Sequence, residues 1–206
     1  WVSKIRSIRF KRTYSGEARQ MGMGDNFSTV NSAYMRDAIS GSGGFDDAIP
    51  ACEDQDLAHK ILQNGLKIVY DPSVVVHHAA EDSLQAILKK TFRQGIGEGV
   101  CSSRYQVWSE RLYLSILLLL ALMSLPLALT TNLSRGVMST LSSSLIALVF
   151  LSMTAVAARA FQETRDWRTF LGAYLYYPSV AATELLGFLI GRLTAHKFPP
   201  VRSSEA

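Results

Sequence analysis

Residues 112–131 run for 20 positions without a charged side chain, and residues 137–158 do the same. A helix of that length reaches across a bilayer core of roughly 30 Å. The five residues between the two runs leave room only for a tight hairpin. Tyr105, Trp108 and Tyr113 stand at the leading edge of the first run, where aromatic rings favour the membrane interface. Pro126 lies inside it as a kink that membrane helices tolerate. A third apolar segment, 170–193, is interrupted by Pro178 and Glu184. It reads either as a third span or as two shorter re-entrant or interfacial helices, because a carboxylate inside lipid is costly. The expectation is an integral membrane protein, with a soluble part over 1–111 and an α-helical transmembrane region of two to three spans over 112–206. Lys89, Lys90, Arg93, Arg104 and Arg111 precede the first run and place the soluble part on the cytoplasmic side.

Charge divides the chain at the same point. Residues 1–111 hold 14 Lys/Arg and 13 Asp/Glu, whereas residues 112–206 hold 7 and 4. The overall +4 is therefore no signature of nucleic-acid binding, and no basic run is interleaved with aromatics as a single-strand binder requires. Cys52 and Cys101 have neither metal-ligand spacing nor a disulfide framework. The chain opens at Trp1 with a basic segment and no signal peptide, and reads as a fragment of something longer.

Within 1–111 the pattern alternates between helix and strand. Residues 1–12 suit a short basic amphipathic helix or a solvated face, and 13–26 read as loop. A short strand at 27–30 and a helix from Asn31 or Ser32 to Ile39 follow, ended by Gly41-Ser42-Gly43-Gly44. Leu57, Ala58, Ile61 and Leu62 form one apolar stripe, which predicts a helix over 54–64 with Gly65 as its stop. Residues 67–70 predict a strand, Asp71-Pro72 a turn, and 74–77 a second strand apolar enough to be buried on both faces. A further helix starts at Asp82 or Ser83, with Lys89, Lys90 and Arg93 in its last turns. Gly95, Gly97 and Gly99 then read as a mobile joint, since they follow a helix and form no dinucleotide fingerprint.

The chemistry concentrates at 43–57, where Glu53, Asp54 and Asp56 sit in four residues between a Gly-Gly-Phe-Asp turn and the amphipathic helix. Two readings stand. The acids cap a helix N-terminus, where they satisfy free N–H groups and complement the dipole. Alternatively, one of them is a general base.

The order Gly43-Gly44-Phe45-Asp46, Glu53-Asp54-Gln55-Asp56-Leu57, amphipathic helix, Gly65-Leu66-Lys67-Ile68-Val69-Tyr70-Asp71-Pro72, Val-rich strand, His77-His78 and basic helix resembles the C-terminal half of a family-2 inverting glycosyltransferase, over about residues 22–100. Residues 186–191 also resemble the membrane segments of its membrane-bound members. The resemblance implies an α/β fold, the C-terminal half of a GT-A domain, before the membrane region. It implies transfer of a sugar from a nucleotide-sugar donor to a lipid-linked or other membrane-associated acceptor, with membrane lipids as partners and no nucleic acid. It makes Asp54 the catalytic base, with Glu53 orienting the base or acceptor and Asp56 beside the substrate. It makes Gly24, Asp25 and Asn26 donor-sugar contacts. His78, or His77 if the strand slips by one, becomes a ligand of a divalent Mn²⁺ or Mg²⁺ whose main ligands belong to sequence preceding Trp1.

Two departures from the family pattern matter. No Asp-x-Asp pair precedes residue 54, so the chain alone is expected to be inactive. Gln94 lacks the Arg-Trp pair of processive synthases, which favours transfer of single sugars. His59 and His196 fit no motif and read as surface residues. The rival readings are a non-catalytic membrane protein used in assembly or scaffolding, and a transporter-like protein built around Glu184.

Overall fold

The computed structural model of the chain describes residues 1–5, 16–25, 27–76, 83–107 and 137–198, with backbone alone at 137–146, 148 and 149. In chain order the elements are β1 (Arg19–Met21), a 3₁₀ turn (Thr29–Asn31), α1 (Arg36–Gly41), α2 (Glu53–Gln63), β2 (Ile68–Tyr70), α3 (Leu84–Tyr105), α4 (Val137–Thr164), α5 (Trp167–Thr194) and a 3₁₀ turn (Ala195–Lys197).

Several boundaries follow from local chemistry. Ser83 starts α3 by accepting a hydrogen bond from the Ala86 N–H. Asp166 does the same for α5 through the Arg168 N–H. Gly65, in the left-handed region at φ 75°, ends α2 as its N–H donates to Leu62 O and that of Leu66 to Ile61 O.

The α/β expectation is corrected: the described residues are mostly helical. Their only sheet is the antiparallel ribbon of β1 and β2, with Gln20 opposite Val69. The predicted strand at 74–76 does not form. Asp71 accepts from both the N–H and the hydroxyl of Ser73, and the Val74 N–H donates back to Asp71 O. That turn, with Pro72 unable to donate, carries Val74, Val75 and Val76 away from the ribbon and leaves them exposed. The predicted strand at 27–30 is instead the 3₁₀ turn, and β1 forms where a loop was expected.

The body of the molecule is built from α3, α4 and α5. Val2 and Ile5, in a helical turn over residues 2–5, bury themselves with Ile87, Ala157, Ala173, Tyr176 and Val180. The Lys4 ammonium lies 2.8 Å from Asp166 and fixes this segment at the head of α5.

The three close glycines are no joint: Gly95, Gly97 and Gly99 lie inside α3. A Cβ at Gly95 would come within 2.4 Å of Glu184 O, and one at Gly99 within 2.3 Å of Phe188 O. From the other side, Gly187 faces Phe92 O and Gly191 faces Ile96 O. The two backbones therefore cross at a distance that only glycine permits. Gly97 faces the opposite way, toward Ala51 O and Cys52, and so seats α3 against the start of α2.

The membrane expectation is corrected as well. Among the described residues no helix is long and apolar enough to cross a membrane, so the predicted transmembrane region and the integral-membrane localisation do not stand. Although α5 has 28 residues, Tyr174, Tyr176, Tyr177, Pro178 and Glu184 interrupt its apolar run. Glu184 is 5% exposed and faces protein. The first predicted span, 112–131, lies outside the described residues, as do the tight hairpin and Trp108.

Candidate functional site

The site is built around the first turns of α2. Cys52 enters the helix in the left-handed region at φ 64°, and its thiol donates to Gln94 O of α3. This sharp entry places Glu53, Asp54 and Asp56 in the first turn. Three positions apart at most, these acids meet very different surroundings.

Asp56 is fully buried. Its Oδ1 accepts from Arg104 Nη1 at 2.8 Å and from the Tyr105 hydroxyl at 2.7 Å, and its Oδ2 lies 2.7 Å from Lys60 Nζ. Arg104 also reaches Asp46 at 2.8 Å and donates to Phe198 O. Burial works to raise the Asp56 pKa, but Lys60, Tyr105 and Arg104 outweigh it and hold the carboxyl below its usual range. Burial first, and then the bond to Asp56, push the Tyr105 phenol upward against the opposing charge of Arg104. Asp56 was expected beside the substrate; its Oδ1 is bonded by Arg104 and Tyr105 and its Oδ2 faces the Lys60 ammonium.

Asp54 is half-buried, and among the described residues no cation is one of the groups that shift its pKa. Its Oδ1 accepts from the Gln55 N–H at 2.9 Å, and the Thr29 N–H also donates to it. Burial raises its pKa above the ordinary aspartate value, against the lowering effect of these backbone bonds, and the neighbouring Glu53 adds to the rise. Glu53 is exposed beside it.

Residues 22–25 and 27–29 lie along α2. The Gln55 side-chain amide donates to Phe27 O at 3.1 Å, and His59 Nε2 lies 3.0 Å from Met23 O. The structure thus brings the predicted donor segment close to the acidic turn. Within it, however, Asp25 is held by Arg19 and by the Gly22 N–H, and a Cβ at Gly24 would meet open space. Asn26, His77 and His78 lie outside the described residues. Among the described residues, no group of three His, Cys, Asp or Glu side chains is arranged to hold a metal.

Three participants escaped the sequence reading. His59, expected at the surface, is 4% exposed and packs its ring 4.6 Å from that of Tyr105. Burial lowers its pKa, so it is neutral at pH 7. Arg104, taken for a topology or headgroup charge, is the hub of the buried ion pairs. Tyr105, taken for an interface aromatic, is their third donor. The Asp56–Lys60 spacing of four residues was the one legible sign of this network.

Comparison with known proteins yields no relative: no family model matches the chain, and neither a curated protein nor a solved structure does.

Proposed function

We propose that this chain provides the acceptor-activating part of a glycosyl transfer, with Asp54 as general base. The acceptor is a sugar or glycolipid hydroxyl, and the donor is a nucleotide-sugar. As the acceptor oxygen bonds to the anomeric carbon, its proton passes to Asp54. The bond from that carbon to the nucleotide diphosphate breaks, its electron pair leaves with the diphosphate, and the configuration inverts. Glu53, exposed at the helix mouth, orients the incoming hydroxyl. Asp56 keeps the helix start fixed rather than reacting.

The observation that carries this reading is the opposite treatment of two carboxylates two positions apart. Asp56 is neutralised by cations and sealed in, whereas Asp54 keeps solvent access and a raised pKa. A base needs an ionisable group whose affinity for a proton is raised toward working pH and whose position is fixed, and backbone donors supply the second without removing the first. A divalent metal, with His78 among its ligands, would stabilise the negative charge that builds on the leaving diphosphate.

The test is sugar transfer by the protein with a panel of nucleotide-sugars. Asp54→Asn is expected to abolish release of nucleoside diphosphate in the presence of acceptor while leaving the fold intact. Wild-type turnover in that variant would remove Asp54 from the chemistry.

One observation favours a second reading, a non-catalytic assembly module. The buried ion pairs of α2 and α3 and the glycine crossing of α3 and α5 tie these helices together without using Asp54 or Glu53. A wild-type protein that transfers no sugar under any donor would favour it.

A further inference from the structure

His59 is buried, titratable and unused by the chemistry above. Its Nε2 lies 3.0 Å from Met23 O, and a carbonyl oxygen only accepts, so Nε2 holds the ring proton. In the neutral ring Nδ1 is then a bare lone pair, buried and without a hydrogen-bond partner among the described residues. The ring stands between those of Tyr105, 4.6 Å away, and Phe27, edge-on at 6.2 Å. A neutral imidazole is tolerated in such a place. An imidazolium is not: Nδ1–H becomes a donor with nothing to receive it, and its charge is cut off from water.

The charged groups around the ring give little relief. Asp56, on the same helix, favours the charged ring, but burial outweighs it. That carboxylate is already bonded by Arg104 and Tyr105 of α3 and faced by Lys60 of α2. Asp25, on the chain that covers the ring, is turned to Arg19.

The walls of this enclosure are not equally held. Buried ion pairs and the close approach at Gly97 tie α3 to α2. The remaining wall is formed by residues 23–25 and 27–29, which run antiparallel to α2. His59 donates to Met23 O, Gln55 donates to Phe27 O, and Asp54 accepts from the Thr29 N–H. Two of these three straps are neutral hydrogen bonds of modest net worth, whereas breaking a buried ion pair costs severalfold more. The covering chain is therefore the wall that yields when the ring gains a proton.

We propose that His59 is a pH-sensitive latch: neutral, it holds residues 23–25 and 27–29 against the acidic turn, and protonated, it lets them part from α2 so that the ring reaches water. Opening withdraws the Thr29 N–H from Asp54, so the latch regulates the acidic turn. It stands whether or not Asp54 acts as a base. Because the closed form disfavours the proton, closure is complete above the free-imidazole pKa of about 6.5 and is lost as pH falls below it. Each tenfold preference for the closed form at neutral pH moves the midpoint of opening about one unit below that value.

The test is an NMR titration of the chain from about pH 7.5 to about pH 4.5, reading the His59 imidazole and the backbone amides. The amides of Met23, Phe27 and Thr29 are expected to shift together with the ring, at one midpoint below about 6.5, while those of α3 from Leu84 to Thr91 keep their positions. His59→Gln keeps an N–H for Met23 O and takes up no proton, so the transition should vanish although Asp54 still titrates. Gln55→Met removes the bond to Phe27 O, weakens the closed form about fivefold and should raise the midpoint by about 0.7. A wild-type chain with no transition down to about pH 4.5 would overturn the proposal. So would a transition that persists in His59→Gln, a midpoint unmoved by Gln55→Met, or α3 amides that shift in step with the covering chain.

Discussion

Gly95→Ala tests the crossing that holds the helical body together. The added methyl would sit 2.4 Å from Glu184 O and 3.0 Å from Phe188 N. A carbon and a carbonyl oxygen approach to about 3.3 Å without strain. The helices must therefore part by about 1 Å, because both obstructing atoms are backbone and cannot rotate aside. Overpacking of this kind costs about 1–3 kcal/mol. Parting the helices also loosens the contacts at Gly99, Gly187 and Gly191, which places the cost at the upper end. Alanine returns about 1 kcal/mol through its better helix propensity. The net expectation is a loss of about 2 kcal/mol, which corresponds to about 4–8 °C in Tm for a chain of this size. In urea it corresponds to about 1 M at the midpoint. Gly41→Ala is the control. It too ends a helix residue without a side chain, but a Cβ there meets nothing within 4 Å, and the same substitution should be neutral or stabilising. If Gly95→Ala melts at or above the wild-type temperature, the close crossing of α3 and α5 is refuted.

Other perturbations separate the acids and thiols. Asp56→Asn takes one carboxylate away from buried Arg104 and should cost about 3 kcal/mol in chemical denaturation, the lower end for breaking a buried pair. Because the folded Asp56 pKa lies below its unfolded value, its contribution is complete above about pH 4 and is lost as pH falls toward the folded pKa. Asp56→Asn should accordingly flatten the acid limb of the stability profile; an unaltered limb would count against the network. Asp54 has the opposite sign. Its raised pKa means that stability falls as pH rises from about 4 through the folded value, so Asp54→Asn should match or exceed the wild-type Tm at pH 7, and a clear drop would contradict its placement. Burial pushes the Cys101 thiol up to about 12 and raises Cys52 as well, so a thiol reagent at neutral pH should label the native chain far more slowly than the denatured one.

Local punctuation was the readable part of the sequence. Gly65 as a stop, Ser83 as a start, the α2 stripe and β2 all depend on neighbours within a few residues, and the structure places them within a residue or two of expectation. What escaped depends on distant partners. Gly95 and Gly99 look like parts of a joint until α5, some ninety residues on, supplies the backbone that needs them bare. Arg104 looks like a surface charge until Asp46 and Asp56 converge on it. The valines at 74–76 have strand propensity, but the Asp71–Ser73 turn settles their direction first. Apolar length suggested spans over 137–158 and 170–193, yet α5 places Glu184 and its glycines against α3. At the site, the acidic turn was legible as a place. Which acid was sealed and which was open was not, since that depends on α3.

The account rests on the claim that two aspartates in one helical turn are driven in opposite directions. A site-resolved carboxyl ¹³C titration of Asp54 and Asp56 measures it directly. The prediction is a midpoint above the ordinary value of 3.8 for Asp54 and below it for Asp56. Coincident midpoints, or the reverse order, would contradict the assignment of Asp54 as base and Asp56 as anchor.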